Sequence, residues 1–299
     1  MYSKILIPLD GSKTAEKVLP LARILAATLK LPIELLEVVD IAAATAHIAA
    51  DKARYLDAII TEGENASREH LAEIAATFPG LAVSCRVERG RPADVIIERA
   101  EAEKGTLIAM ATHGRSGINR WMMGSVAEKV LRGTTAPLFL VRAGVAGSAC
   151  APAIKTIVVP LDGSELAEAV LPTVCEVAKT LDLDVILCRA YELAATAYYG
   201  SEDYLPKYDE MLRDLKESVE NYLIKKADGL KATGLTRVSW VALEGAGAEE
   251  IVRYANKHHD ALVAMCTHGR SGVSRWALGS VTEKVVRHAE EPVLVLHGA

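Results

Sequence analysis

The chain has 299 residues, about twice the length of an ordinary domain of roughly 150 residues, so the sequence predicts two domains. Hydrophobic residues make up 51% of it and charged residues 24%, a composition that excludes disordered, collagen-like and disulfide-built chains. With 34 basic and 39 acidic residues the formal net charge is -5, so neither nucleic acid nor anionic lipid is an expected partner.

In the first half of the chain, short apolar runs alternate with stretches of helical period, a pattern typical of parallel sheets built from strand-helix-strand units. The first predicted helix has apolar residues at helical spacing from Ala15 to Leu29, and Pro20 inside this pattern predicts a kink. Five strands are predicted: Lys4 to Leu9, Pro32 to Asp40, Leu81 to Glu88, Thr106 to Thr112 and Pro137 to Arg142.

The second half of the chain repeats the first. The run Ile5 to Ser12 returns as Ile157 to Ser164, and Thr112 to Gly117 returns as Thr267 to Gly272. A period this long indicates a duplicated domain, because solenoid units span only about 20–50 residues. We therefore predict a first domain over residues 1–146 and a second over 152–299. The strands predicted in the second copy are Thr156 to Leu161, Asp184 to Tyr191, Arg237 to Leu243, Ala261 to Thr267 and Pro292 to His297.

Each copy ends on an apolar strand that would lie at the edge of its sheet. The runs Leu138 to Val141 and Val293 to Leu296 carry little that would prevent pairing with another strand. We expect these two edges to pair within the chain, so that the domains form a pseudo-two-fold dimer. Covering of each edge by a loop or by a second chain, as in a homodimer, is the alternative.

Turn-rich segments follow strands one and four in both copies, at the edge of the sheet where open parallel sheets bind ligands. Pro8 to Ser12 follows strand one, and the segment after Thr112 leads to a helix start at Gly124 and Ser125. Such a glycine-containing loop lets backbone amides face an anion, and the helix adds its positive end. Neither a Walker A lysine nor the G-x-G-x-x-G fingerprint of dinucleotide-binding proteins is present.

These motifs resemble those of the universal stress protein family. Nucleotide-binding members carry G-x2-G-x9-G-[ST] after strand four, where this chain reads Ala111-x2-Gly114-x9-Gly124-Ser125 and Cys266-x2-Gly269-x9-Gly279-Ser280. The resemblance implies an α/β fold of two tandem doubly wound domains of the adenine-nucleotide α-hydrolase-like type. Each would hold a five-stranded parallel sheet, in strand order 3-2-1-4-5, with helices on both faces. The residues that replace the first glycine would crowd a ligand with their β-carbons.

The resemblance also implies which residues bind a ligand, expected to be ATP or another adenine nucleotide with or without Mg²⁺. Asp10 and Asp162 would approach the adenine or the ribose, and Val38 and Ala190 would flank the base. In the first copy the implied nucleotide-binding residues are Pro8, Asp10, Ser12, Val38, Ala111, His113, Gly114, Arg115, Ser116, Gly124, Ser125 and Val126. In the second copy they are Pro160, Asp162, Ser164, Ala190, Cys266, His268, Gly269, Arg270, Ser271, Gly279, Ser280 and Val281.

Several of these residues also have a purely structural interpretation. Ser125 with Glu128 and Ser280 with Glu283 form the S-x-x-E pattern of a helix capping box. Asp10 suits a turn, and one histidine per copy without a second ligand nearby predicts no metal site. No catalytic residue is assigned, because no base or water-positioning group near a terminal phosphate is recognisable, and any hydrolysis would be slow.

We therefore expect a regulatory nucleotide-binding protein of the stress response, with small-molecule nucleotides as its partners. Two alternatives stay open: an interaction module with empty pockets, and a slow ATP-hydrolysing enzyme. The five cysteines are odd in number and form no C-x-x-C pair, which favours a reducing compartment. The first apolar stretch is too short for a signal peptide, so a cytoplasmic protein without a membrane partner is expected.

Overall fold

The structure is a computed structural model that describes residues 2–42, 55–112, 123–142, 154–193, 205–267 and 278–297. The chain divides into two compact units, Met1–Ala151 and Pro152–Ala299. The domain limits predicted from the sequence, 1–146 and 152–299, stay a prediction at the level of single residues.

Among its described residues, the first unit holds five strands and four α-helices. The strands are β1 (Lys4–Leu9), β2 (Ile33–Val39), β3 (Val83–Arg89), β4 (Thr106–Ala111) and β5 (Leu138–Val141). The helices are α1 (Leu19–Leu29), α2 (Leu56–Ala76), α3 (Pro92–Glu101) and α4 (Ser125–Gly133). Every strand predicted in this half is present, with ends within two residues of the predicted ones.

The five strands form a parallel sheet in the order β3-β2-β1-β4-β5, as predicted. Strand β1 lies at the centre, and all six of its residues are buried. A strand covered on both faces needs apolar side chains on both, which is why Ile5, Leu6 and Ile7 follow one another without polar alternation. The turn that follows β1 therefore lies at the middle of the carboxyl edge of the sheet.

Helices cover both faces of this sheet. Glu34 and Glu37 are three residues apart on β2, so their side chains point to opposite faces. Glu34 contacts Arg99 on α3, whereas Glu37 contacts His70 on α2. Helix α2 packs against β2 and β3, and α3 packs against α4. The helices on both faces of the sheet, which the family resemblance implied, are therefore confirmed.

The first predicted helix is divided into two helical segments just before Pro20. Residues Ala15–Val18 form a short 3-10 helix, and α1 begins at Leu19, so Pro20 stands in the first turn of the α-helix. Proline is tolerated in that turn because the amide it lacks would have no acceptor within the helix. Pro20 thus follows a junction between two helical segments, and the kink stays a prediction.

The second unit repeats this architecture. Its strands are β6 (Thr156–Pro160), β7 (Asp184–Tyr191), β8 (Val238–Glu244), β9 (Ala261–Cys266) and β10 (Val293–Leu296). Its helices are α5 (Glu165–Glu168), α6 (Leu171–Leu181), α7 (Leu205–Ala232), α8 (Gly247–Ala255) and α9 (Ser280–His288). The strands pair in parallel in the order β8-β7-β6-β9-β10, the same order as in the first unit.

None of the helices that the structure describes is both long and apolar enough to cross a membrane. The predicted pairing of the two last strands and the formation of a homodimer stay predictions.

Candidate functional site

The turn after β1 holds the first predicted aspartate in a fixed orientation. Asp10 Oδ1 accepts hydrogen bonds from the Ser12 amide at 3.0 Å and from the Ser12 hydroxyl at 2.6 Å. The same hydroxyl oxygen accepts a bond from the Ala15 amide at 3.1 Å. Gly11 lies between them with φ of 77°, a conformation that favours glycine. The turn interpretation of Asp10 therefore holds, and it orients the carboxylate at the carboxyl edge of the sheet.

The second copy builds the same turn. Asp162 Oδ1 accepts bonds from the Ser164 amide at 2.9 Å and the Ser164 hydroxyl at 2.6 Å. Ser164 is the N-cap of α5, and its hydroxyl oxygen accepts a bond from the Ala167 amide at 3.1 Å. Both aspartates are thus positioned by a serine two residues later, a short-range contact that the repeated Asp-Gly-Ser sequence encodes.

In both copies, a backbone hydrogen bond joins the two ends of the segment after strand four. The Gly124 amide donates to the Thr112 carbonyl at 2.8 Å, and the Gly279 amide donates to the Thr267 carbonyl at 2.9 Å. These bonds set each helix start beside the end of its strand. The predicted binding residues between these hydrogen-bonded ends lie outside the described residues: His113, Gly114, Arg115, Ser116, His268, Gly269, Arg270 and Ser271.

Helices α4 and α9 begin with a glycine cap. Gly124 and Gly279 are the N-cap residues, and the following serines stand at the first helical position, so the predicted capping boxes are wrong. The glutamate of the second pattern, Glu283, instead accepts bonds from Arg287 one turn later, at 2.9 and 3.1 Å. Because glycine has no side chain to accept from the first amides, both helix starts can donate to an anion.

In the second unit, a cleft of about 390 Å³ opens at the carboxyl ends of β6, β7 and β9. This volume lies within the roughly 300–1,000 Å³ typical of ligand pockets. The starts of α8 at Gly247 and of α9 at Gly279 form two of its walls, and α7 closes it with Leu215 and Val219. The cleft thus joins a helix start, an aspartate turn and an apolar wall.

Seven residues that the sequence predicted for the second nucleotide site line this cleft together. They are Pro160, Asp162, Ala190, Cys266, Gly279, Ser280 and Val281. Ser164 is not among the lining residues, since its hydroxyl is bonded to Asp162 and the Ala167 amide. In the first unit the described counterparts occupy the same strand ends and helix start: Pro8, Asp10, Ser12, Val38, Ala111, Gly124, Ser125 and Val126.

Cys266 stands in the cleft wall where the family motif has its first glycine. Its side chain is buried, and this burial raises the pKa of the thiol to about 11, so the thiol stays protonated near neutral pH. The Thr282 hydroxyl donates to the Cys266 carbonyl at 2.9 Å and so holds α9 against β9. The cleft remains open beside the cysteine, so the crowding expected there does not close the site.

A polar cluster that the sequence did not predict lies at the β7 end of the cleft. The guanidinium of Arg189 lies over the Tyr222 ring, 4.7 Å from its centroid. Glu168 receives hydrogen bonds from the Tyr222 hydroxyl at 2.9 Å and from Lys226 Nζ at 2.5 Å. Burial, together with the bond to Glu168, raises the pKa of Tyr222, so this hydroxyl stays neutral.

The first unit builds a different cluster at the matching place. His70 Nδ1 contacts Glu37 Oε1, and His70 Nε2 lies 3.4 Å from Glu16 Oε1. Both clusters join the helix after strand one, the end of strand two and the long helix of their own unit. Charged residues directly before Val38 and Ala190 were the available signal in the sequence, but their partners on the long helices have no local pattern. Within the described ranges, no group of three or more His, Cys, Asp or Glu side chains is arranged to hold a metal ion.

Comparison with known proteins gives a consistent result for both halves. The sequence profile of the universal stress protein family matches residues 1–142 and again residues 153–297. A universal stress protein of Methanocaldococcus jannaschii is 30% identical over 142 residues, which cover 48% of this chain and 81% of that protein. One of Thermus aquaticus is 31% identical over 142 residues, covering 48% of this chain and 98% of that protein.

Among solved structures, a universal stress protein from Archaeoglobus fulgidus aligns over 98% of this chain and 98% of its own. The TM-score is 0.69 and the sequence identity is 21%, a likeness of fold over the full tandem.

Proposed function

Because the chain belongs to the universal stress protein family, we propose that it binds a nucleotide at the carboxyl edge of each sheet. ATP or another adenine nucleotide is the ligand that the family resemblance implies, and we propose that binding regulates a stress response. The observation that carries this proposal is the cleft of the second unit, where residues from four separate segments predicted for one ligand come together.

The helix start at one side of the cleft fits a phosphate group. Gly279 and Ser280 line the cleft, and a glycine cap leaves the first amides of α9 without a side-chain acceptor from the cap residue. Amides at a helix N-terminus, together with the helix dipole, favour a negatively charged group. This donor set suits the polyphosphate of ATP, and a bound Mg²⁺ would neutralise part of the charge on those phosphates.

The other side of the cleft fits a base and a ribose. Asp162 offers a carboxylate held by Ser164, which can accept hydrogen bonds from a ribose hydroxyl or from a base amino group. Ala190, Leu215 and Val219 supply a mostly apolar lining beside it. A flat base and a charged tail thus have matching surfaces at opposite sides of one cleft.

The free energies expected from these contacts are large enough for measurable binding. Charge-assisted hydrogen bonds contribute roughly 1.5–3 kcal/mol each, and a helix end adds about 0.3–2 kcal/mol. Lost translational and rotational freedom offsets at least about 4 kcal/mol of this gain. A few such contacts with burial of the base reach about 8 kcal/mol, which corresponds to micromolar affinity.

Regulation is favoured over rapid catalysis. Among the described residues that line the cleft, the carboxylates are Asp162 and Glu192. Asp162 is oriented by Ser164, and Glu192 is exposed at the end of β7, and we expect neither of them to act as a general base on the phosphates. We expect turnover of ATP to be slow.

The test is isothermal titration of the full chain with Mg-ATP, together with mass spectrometry of any ligand released on denaturation. Gly124→Val and Gly279→Val each place a branched side chain at one helix start. Both glycines have extended backbone, with φ of -62° and -61°, which valine adopts readily. Each variant should lose one binding site while the other site keeps its affinity.

Gly229→Ala is the matched control, because a β-carbon added there on α7 would meet nothing within 4 Å. This control should bind like the wild type. Absence of binding at millimolar Mg-ATP, or unchanged stoichiometry in both valine variants, would contradict the proposed function.

A further inference from the structure

The outer strands of the two sheets occupy equivalent places but differ in charge. Strand β3 pairs with β2, and β8 pairs with β7 in the same parallel register. No other strand in the described ranges pairs with β3 or β8. The register makes Arg86 and Glu88 on β3 equivalent to Val241 and Leu243 on β8. The outer edge of the first sheet therefore carries charges that the outer edge of the second sheet lacks.

Strand β8 has none of the features that usually prevent an edge strand from pairing with another chain. Such features are short length, charged side chains, proline and β-bulges. The strand is seven residues long and uncharged from Val238 to Leu243, and its continuous register with β7 excludes a bulge. The apolar residues from Trp240 to Leu243 are all partly exposed. On β3, by contrast, the side chain of Arg86 is 48% exposed.

Alternate residues of β8 direct their backbone groups away from β7. The Arg237 carbonyl accepts a hydrogen bond from the Val185 amide, and the Gly245 amide donates to the Tyr191 carbonyl, both at 2.9 Å. Alternate residues of a strand bond to the same neighbour, so the odd-numbered residues between these two ends also bond to β7. The residues whose amides and carbonyls face the open side are therefore Val238, Trp240, Ala242 and Glu244.

An antiparallel partner of the same sequence matches this backbone pattern about a two-fold axis at Val241. The outward-facing residues lie symmetrically on both sides of Val241, so each donor of one molecule meets an acceptor of the other. Each of these residues offers one donor and one acceptor, which gives about eight backbone hydrogen bonds between the two molecules. The edge of β8 is therefore self-complementary.

The side chains also match in this antiparallel register. Trp240 of one molecule would lie opposite Ala242 of the other, a large side chain against a small one, and the two Val241 side chains would face each other. Cross-strand pairs of aromatic and β-branched side chains stabilise sheets. Glu244 would lie opposite Val238, so the charged end of the strand meets an apolar residue and not a like charge.

We propose that β8 is a dimerisation edge, at which two molecules of this chain pair their β8 strands in antiparallel orientation. A second molecule is a better partner than a disordered peptide, because β8 is already extended and paired with β7 in both molecules. A disordered peptide would lose conformational freedom when it binds. The charges on β3 keep the outer edge of the first sheet from pairing in the same way. This dimer does not depend on nucleotide binding.

Sedimentation velocity of the full chain at micromolar concentration should give the mass of two chains. Ala242→Pro removes an amide that faces away from β7, a change that an edge strand tolerates, and should give the mass of one chain. Val87→Pro makes the same change at the equivalent position of β3 and should leave the dimer intact. Circular dichroism checks that both variants are folded.

Val241→Cys tests the register of the pairing. Residues at the two-fold axis form a non-hydrogen-bonded pair with Cα atoms about 4.5 Å apart, within the range of roughly 4.4–6.8 Å found in disulfides. Oxidation with copper phenanthroline should therefore give a covalent dimer that dithiothreitol separates. Arg86→Cys, at the equivalent position of β3, is the control and should cross-link no more than the wild type, which has the exposed Cys85 on the same strand.

A wild-type chain that is monomeric at these concentrations would overturn the proposal. A dimer that persists in folded Ala242→Pro, or that Val87→Pro abolishes, would also overturn it, because the contact would then lie elsewhere. If Ala242→Pro does not fold, the cross-linking experiment decides. The absence of a reducible dimer in Val241→Cys would then overturn the proposal.

Discussion

The buried ion network around Glu34 in the first domain allows a test of stability in which the second domain of the same chain serves as the reference. Glu34 is 5% exposed and receives contacts from Lys4 Nζ at 2.6 Å, Arg99 Nε at 2.5 Å and Arg86 Nε at 3.3 Å. Lys4 is itself only 6% exposed. Glu34→Ala would therefore leave a buried ammonium without its main partner, a change that typically costs about 3–5 kcal/mol.

The expected loss lies at the lower end of this range, because Lys4 keeps a contact with Glu103 at 3.2 Å. For a domain of this size, a loss of about 3 kcal/mol lowers the melting temperature by about 6–12 °C. The second domain shows that the fold does not need these charges. There the equivalent positions of Lys4, Glu34 and Arg99 are Thr156, Ile186 and Tyr254.

The triple variant Lys4→Thr, Glu34→Ile, Arg99→Tyr should therefore be about as stable as the wild type, since removing the buried charges of a network together is often neutral or stabilising. The remaining members, Arg86 and Glu103, have exposed side chains that water can solvate. Hydrogen-exchange mass spectrometry of the full chain separates the two domains. Glu34→Ala should speed exchange in β1 and β2 and leave β6 and β7 unchanged. A loss below about 1 kcal/mol in Glu34→Ala, or a triple variant as unstable as the single one, would refute the reasoning.

The same network sets a pH dependence. Burial alone would raise the pKa of Glu34, but hydrogen bonds from Arg99 and Lys4 outweigh it and hold the pKa below its usual value of 4.5. A carboxyl whose pKa is lowered by folding stabilises the domain above its unfolded pKa, and this contribution disappears as the pH falls through the lowered value. The first domain of the wild type should thus lose stability below about pH 4.5, and the triple variant should lose less over the same pH window.

Three further predictions concern single positions. Ser164→Ala removes an N-cap hydrogen bond and should lower the free energy of unfolding by about 1 kcal/mol. Ser280→Ala, at a first helical position, should change the free energy of unfolding by less than about 0.5 kcal/mol and should weaken nucleotide binding. Urea denaturation measures the stabilities and titration with Mg-ATP measures the binding, and equal stability losses in the two variants would contradict the cap assignment. Cys266 should resist iodoacetamide at pH 8 in the folded chain because burial raises its pKa to about 11; rapid labelling in a peptide map would contradict this. Pro20→Ala should cost less than about 1 kcal/mol because Pro20 lies in a first turn, whereas Ala26→Pro in the interior of α1 should cost about 3 kcal/mol or more; thermal denaturation compares the two.

Much of the fold was predictable because its signals are local. Buried parallel strands are continuous apolar runs, and each predicted strand ends within two residues of the observed one. The Asp-Gly-Ser turns were also predictable, since Asp10 and Ser12 contact each other across two residues. The repeat then gave the second domain the same elements in the same order.

The helix start after strand four shows where a local pattern failed. The S-x-x-E pattern predicted serine caps, but the Gly124 amide is bonded to the carbonyl of Thr112, and this contact across the loop sets where α4 begins. A local pattern cannot report such a contact, because its partner lies just after β4, at the other end of the loop. The same reason accounts for the missed cluster around Arg189, whose aromatic partner, Tyr222, is on a different element.

The amino-acid sequence by itself determined the duplicated α/β architecture, the strand positions and the motifs of the family. Hydrophobic periodicity and short turns depend only on residues that are close together in the sequence. Only the tertiary structure decided that Glu37 is buried against His70 whereas Arg189 lies beside Asp162 in an open cleft. The physical reason is that side chains far apart in the chain meet only when the long helices pack on the sheet. The neighbours that they meet there decide whether a charge is buried in an ion pair or faces a cleft.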